Sequence, residues 1–188
     1  MFILGLSVLL GGCSDTLLGP KAQVKFSSKP YSVKNGFGKH TYRPQQRYGL
    51  SYGQSHGKAS YYGGKFNGRK TSSCVIFDEK QLTAAHPTAV LPSIAKITRV
   101  DTGKHVYVVL TDRGPFAKNR ICDLSVAAAG KLGFHREGHI NVTIEILPAQ
   151  SKLLAAHWKK FLHKKLPNKL FQHIHDSKAL DRYLRSVR

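Results

Sequence analysis

Asp112 and His86 are the two residues whose type and setting best suit proton transfer. Tyr107 through Thr111 alternate and β-branch like a buried strand, and Asp112-Arg113 follows directly, before Gly114-Pro115 stops the run. An acid at a strand end, aimed into the next loop, is a common way to mount a site on a rigid scaffold. The competing reading is a turn-capping Asp paired with its own neighbour. Of the other acids between residues 57 and 147, Asp101 falls in a hairpin turn and Glu145 alternates outward on the last strand. Asp78 lies ahead of the His86 segment, and Asp123 precedes a helix start whose first amides it could orient. His86 ends the apolar segment Gln81–Ala85 and is followed by Pro87. A His/Asp pair in basic surroundings suits general acid–base chemistry.

The elements that must position such a pair read as a small β-barrel. Lys58–Tyr62 alternates as a strand, and Gly63-Gly64 and Asn67-Gly68 punctuate the loop after it. Ile94–Val100 and His105–Leu110 are the arms of a hairpin turning at Asp101-Thr102-Gly103. Ser125 caps a short helix, Val126–Leu132, which Gly133 terminates, and Gly138–Ile146 is the last strand. The fold expected is mainly β: a six-stranded barrel over residues 57–148 with one or two short helices. Residues 149–188 form a basic helical tail. In it Leu153, Leu154, Trp158, Phe161 and Leu162 share one helical face, and a second amphipathic piece follows Pro167. Such a tail could lie on anionic lipid, meet the cell wall, hold a partner, pack on its own domain or be partly disordered.

Charge narrows the partners. The 188 residues hold 30 Lys and Arg against 10 Asp and Glu, a net charge of +20. A surface this positive seeks polyanions. Met1–Gly12 is an apolar run too short to span a membrane, and with Cys13 it resembles a bacterial lipoprotein leader ending in a lipobox. Residues 1–12 are therefore expected to be a signal peptide and Cys13 the lipidated residue. Residues 13–56, rich in Ser, Gly, Lys, Tyr and Pro, read as a tether. Such a protein sits at the periplasmic face of the outer membrane, which argues against nucleic acid as a partner. Cys74 and Cys122 then remain, either as one disulfide or as two buried thiols. No Cys/His cluster at zinc spacing occurs, so neither metal nor cofactor is expected.

Five blocks together resemble the rare lipoprotein A (RlpA) family: Gly57–Gly63, Phe66–Thr71, Leu82–His86, Asp112–Phe116 and Arg120–Ala129. Their order and spacing fit over residues 57–147, about half the chain. The resemblance implies a double-psi β-barrel on an outer-membrane lipoprotein that acts on peptidoglycan glycan strands, preferably those stripped of stem peptides. It implies a lytic transglycosylase, a lyase that breaks the MurNAc–GlcNAc bond without water and leaves a 1,6-anhydroMurNAc end. Asp112 and His86 match the family's catalytic Asp and motif His. Arg113, Tyr62, Phe66, Thr83 and Asp123 are expected at the glycan, and the protein is expected to be monomeric. One departure stands out. Family enzymes usually carry Gly-Glu starting three residues before the Tyr/Phe-Asp pair, with the Glu functional, and here those positions are Cys74-Val75, followed by Ile76 and then Phe77-Asp78. The resemblance thus leaves three readings: an enzyme with impaired activity, a non-catalytic glycan-binding lipoprotein, and a tether in which the barrel is a spacer.

Overall fold

A computed structural model describes residues 31–35, 38–42, 54–117 and 119–187. The expected signal peptide, Cys13 and most of the tether lie outside these residues. Within the tether, β1 (Tyr31–Asn35) and β2 (Gly38–Tyr42) pair as an antiparallel hairpin.

The barrel is closed by six strands: β3 (Gln54–Tyr62), β4 (Thr83–Ala85), β5 (Ser93–Arg99), β6 (His105–Asp112), β7 (Arg120–Ser125) and β8 (Ile140–Ile146). Around the barrel they run β3-β7-β4-β6-β5-β8. Two pairings are parallel, β3 with β7 and β4 with β6, and the other four are antiparallel. Closure leaves no free edge. The interior is filled by alternating inward residues, with small Ala59, Ala84 and Ala95 set against Ile97, Val108 and Leu110. Helix α1 (Val126–Leu132) adds Ala128, Ala129 and Leu132 to this core. Its ends form as the sequence requires. Ser125 Oγ accepts from the Ala128 amide, and Gly133 closes the helix at φ 74°, where a side chain would be strained.

Strand β6 is buried on both faces, which explains its nearly continuous apolar run. Val106, Val108 and Leu110 enter the barrel, whereas Val109 belongs to a second apolar cluster outside it. The C-terminal segment completes that second cluster. Helix α2 (Pro148–His157), a 3-10 turn (Trp158–Phe161), α3 (Leu170–His173) and α4 (Ser177–Ser186) lay Leu154, Trp158, Phe161, Leu166 and Leu170 against Ile94, Val109 and Val75. The expected helical tail is therefore a cap on the barrel wall. Its apolar stripe is consumed by the barrel, so the face that a membrane-surface helix would insert is covered. Lys152, Lys159, Lys169, Lys178, Arg182 and Arg185 remain outward. Among the described residues no helix is long and apolar enough to cross a membrane.

The Cys74–Cys122 disulfide is not formed. Cys122 is a free thiol, fully buried on β7 among the barrel's interior residues. Burial and the Asp123 carboxylate push its pKa far up, so it is an inert packing group. Cys74 sits outside that core, in the turn after Thr71, at φ 68°.

Candidate active site

The barrel's strand register sets Ser60, Asp123, Ala85 and Asp112 in one row across β3, β7, β4 and β6. A register shift between Ala84 and Ala85 brings Ala85 level with Asp112. Two carboxylates from strands not adjacent to each other thus face the same end of the barrel, separated only by β4. Ala85 leaves that space open.

Asp112 is half-buried and held by three donors on one oxygen. Its Oδ1 accepts from Ser72 N at 2.9 Å, Ser72 Oγ at 2.6 Å and Arg113 N at 2.8 Å. Its Oδ2 accepts no hydrogen bond among the described residues. The backbone turns sharply at Gly114 (φ 133°), a conformation that only glycine adopts without strain.

His86 follows β4 and is tied to Asp112 through the main chain, its amide donating to the Asp112 carbonyl at 3.0 Å. Nδ1 accepts from the amides of Ala89 (2.9 Å) and Thr88 (3.2 Å), so the proton of the neutral ring resides on Nε2. Burial, and then the Arg113 charge, push the His86 pKa down to about 4 from 6.5. Arg113 causes the second effect because its guanidinium buckles this same loop, donating to the carbonyls of Ala89 (2.6 Å) and His86 (3.3 Å). At neutral pH His86 is therefore an uncharged donor through Nε2. The ring should stay neutral down to pH 5, and nitrogen-detected NMR should show the Nε2–H tautomer titrating near pH 4. Because the unfolded chain binds that proton near pH 6.5, this site loses stability as pH falls from 6.5 toward 4.

Asp123 lies on β7, not at the helix start, and Ser125 serves as the cap instead. Ser60 Oγ donates to Asp123 Oδ1 at 2.6 Å, and Arg120 pairs with the same carboxylate at 3.3 Å without good hydrogen-bond geometry at Nε. Tyr62, at the end of β3, reports on both acids. Burial raises its pKa far above the usual value, and the Asp112 and Asp123 charges raise it further. Its buried hydroxyl has no hydrogen-bond partner among the described residues, although such groups normally have one. The ring stacks on Phe77 (4.5 Å between centroids, 16°) and meets Phe66 edge-on. Phe66 is 37 % exposed and flanked by Lys65 and Arg69, an aromatic face at which a sugar ring could stack.

The other expected residues divide clearly. Thr83 is buried, with 3 % of its surface exposed, and cannot touch a glycan on the outside. Arg113 acts on the His86 loop rather than standing free at the cleft. Val75 is 1 % exposed and points into the apolar cluster under the cap. Asp78 is also engaged by the cap. Burial would raise its pKa, but the Lys165 ammonium at 2.9 Å and the Lys80 amide outweigh that and lower it. Glu79 is taken up by Gly64 N at 2.6 Å. Sequence reasoning missed Ser72 and Ser60, the two hydroxyls that orient the carboxylates. Among the described residues no three His, Cys, Asp or Glu side chains gather to hold a metal ion.

Residues 54–144 match the family model described as lytic transglycolase. Among the curated relatives named endolytic peptidoglycan transglycosylase RlpA, three show the extent of the match. That of Neisseria meningitidis serogroup B is 48 % identical over 110 residues, covering 58 % of this chain and 46 % of the relative. That of Vibrio cholerae is 50 % identical over 91 residues, covering 48 % and 35 %. That of Rickettsia typhi is 41 % identical over 146 residues, covering 76 % and 42 %. The chain thus spans less than half the length of each of these relatives.

Proposed function

Because residues 54–144 form a double-psi β-barrel domain of the rare lipoprotein A family, we propose that this chain is a lytic transglycosylase that cleaves MurNAc–GlcNAc bonds of glycan strands. The observation that carries this reading is Asp112 itself: a strand-end carboxylate with one oxygen held by three donors and the other without a donor among the described residues, beside a neutral imidazole.

The chemistry needs one acid that becomes a base. Hydrolysis uses one carboxyl to protonate the leaving oxygen and a second to activate water or attack. Here the MurNAc C6 hydroxyl is the nucleophile, already tethered to the reacting sugar. Asp112 Oδ2 donates its proton to the glycosidic oxygen as the bond to the anomeric carbon breaks. The C6 oxygen then bonds to that carbon, its proton returns to Asp112, and a 1,6-anhydro end remains. His86 donates through Nε2 to a sugar oxygen. Phe66 supplies a stacking face. Asp123, with both oxygens engaged, holds a negative field at the cleft that favours the oxocarbenium-like transition state.

The apolar leader and Cys13 support a lipid-anchored protein at the periplasmic face of the outer membrane. The net charge of +20 supports contact with anionic lipid or wall polymer through the outward lysines of the cap. The family resemblance supports denuded strands as the preferred substrate. Incubation of the purified protein, without its leader, with denuded glycan strands should yield 1,6-anhydroMurNAc ends by mass spectrometry. A second reading, glycan binding without cleavage, is favoured by Val75. Retention of glycan with no anhydro ends would establish that reading instead.

A further inference from the structure

We propose that the C-terminal helical cap is a working part of the catalytic site: it fixes the turn at residues 71–76 so that Ser72 holds Asp112 Oδ1, leaving Oδ2 as the proton-carrying oxygen. This rests on the reading of Asp112 as the acid.

A carboxylate at a strand end has a fixed backbone but a freely turning side chain. Three donors on the same oxygen remove that freedom, and two of them come from Ser72. Ser72 also accepts from the Arg113 amide at 3.3 Å, which closes a small ring of contacts around Oδ1. Yet Ser72 is exposed and belongs to no strand or helix. Its placement depends on the turn that carries it. Within the turn, Thr71 N donates to Val75 O at 2.8 Å and Cys74 N to Thr71 O at 3.0 Å.

That turn is gripped from two sides. On the barrel side, Ser73 N donates to the Thr111 carbonyl at 3.0 Å, beside Asp112. On the cap side, Trp158 Nε1 donates to the Ser73 carbonyl at 2.9 Å. One residue, Ser73, therefore links the catalytic strand to the cap. The next peptides continue the seam: His163 N donates to Cys74 O at 2.7 Å and Ile76 N to Lys164 O at 2.9 Å. Val75 is buried in the cap's apolar cluster, and Lys165 fastens Asp78 beyond it. All of these cap residues follow residue 144, where the match to the shared barrel ends. Ser72 is thus a positioning residue, and Trp158 acts through it.

The test is a double-mutant cycle on the full chain without its leader, reading anhydro-end formation at saturating and subsaturating denuded glycan. Ser72→Ala should lower kcat about tenfold with KM nearly unchanged, the effect of a lost hydrogen bond to a charged group. Ser72→Thr, which keeps the hydroxyl, should restore the rate to within about threefold. Trp158→Phe should lower kcat about threefold to tenfold and speed exchange of the Ser72 amide relative to a β5 amide. The double variant should be no slower than Ser72→Ala, because both changes break one chain of contacts. Multiplying effects, or an unchanged rate and Ser72 exchange in Trp158→Phe, would overturn the proposal. If the unmutated protein makes no anhydro ends, the enzyme reading fails, and exchange at Ser72 alone decides whether the cap sets the turn. Should Trp158→Phe not fold, Lys165→Met, at an exposed position, loosens the same loop from the cap and is read by the same measurements.

Discussion

Asp112→Asn is expected to abolish 1,6-anhydro end formation while leaving the fold and glycan retention intact. Asn keeps the size of the side chain, and its amide oxygen can still accept from Ser72 and Arg113. What it loses is the proton. A positioned general acid is worth about 10²–10⁴-fold, so the rate should fall by about three orders of magnitude. The comparison that gives this result its meaning is Asp123→Asn. The Asp123 oxygens are already engaged by Ser60 and Arg120, so its removal should weaken the field at the cleft and cost less, about tenfold. Mass spectrometry of digested glycan reads both variants. If Asp123→Asn is the silent one and Asp112→Asn retains more than a tenth of the rate, the acid is misassigned.

The barrel was legible because its inward positions alternate and its turns carry their own chemistry. Asp101-Thr102-Gly103 joins β5 to β6, and Ser125 and Gly133 bound α1 as their types require. Strand β7 was harder. Cys122 and Leu124 do alternate inward, but Arg120 and Asp123 interrupt the apolar pattern because they face the cleft. The polarity that hides the strand is the polarity that the site uses.

The site itself was half visible. Asp112 and His86 stand at element ends, where local sequence marks them. Ser72 meets Asp112 across 40 positions of sequence and Ser60 meets Asp123 across 63; strand pairing makes the second contact, and the turn held between barrel and cap makes the first. The pairing of the cysteines stayed open in the sequence for a related reason. Composition counts thiols, but only the register shows that Cys122 points into the barrel core and Cys74 lies outside it. The cap's amphipathic spacing was equally clear, yet one apolar stripe fits a membrane, a partner or its own domain. What decides is a complementary surface, and the barrel supplies it as Ile94, Val109 and Val75.

That surface also explains the departure at position 75. Val75→Glu, which restores the family's residue type, should destabilise this protein rather than improve its catalysis. The side chain at 75 is 1 % exposed and packs among Trp158, Phe161 and Leu166, with no cation of the described cluster to meet a carboxylate. Burying an unpaired carboxyl in such a place costs about 3–5 kcal/mol, whether it stays charged or takes up a proton. For a chain of this size each kcal/mol moves the melting temperature by about 2–4 °C, so a drop of about 10 °C is expected by calorimetry. The chain could escape that penalty by undocking the cap, which would free the turn that carries Ser72 and slow the reaction at Asp112. Either route makes Val75→Glu a loss in stability, activity or both. A variant as stable as the parent and faster on denuded glycan would mean that position 75 reaches the cleft and that the cap does not seal it. In this chain the cap and the missing Glu are two aspects of one substitution: an apolar cover on the barrel wall needs an apolar residue beneath it, and in the proposed mechanism Asp112 moves the proton with Ser72 as its support.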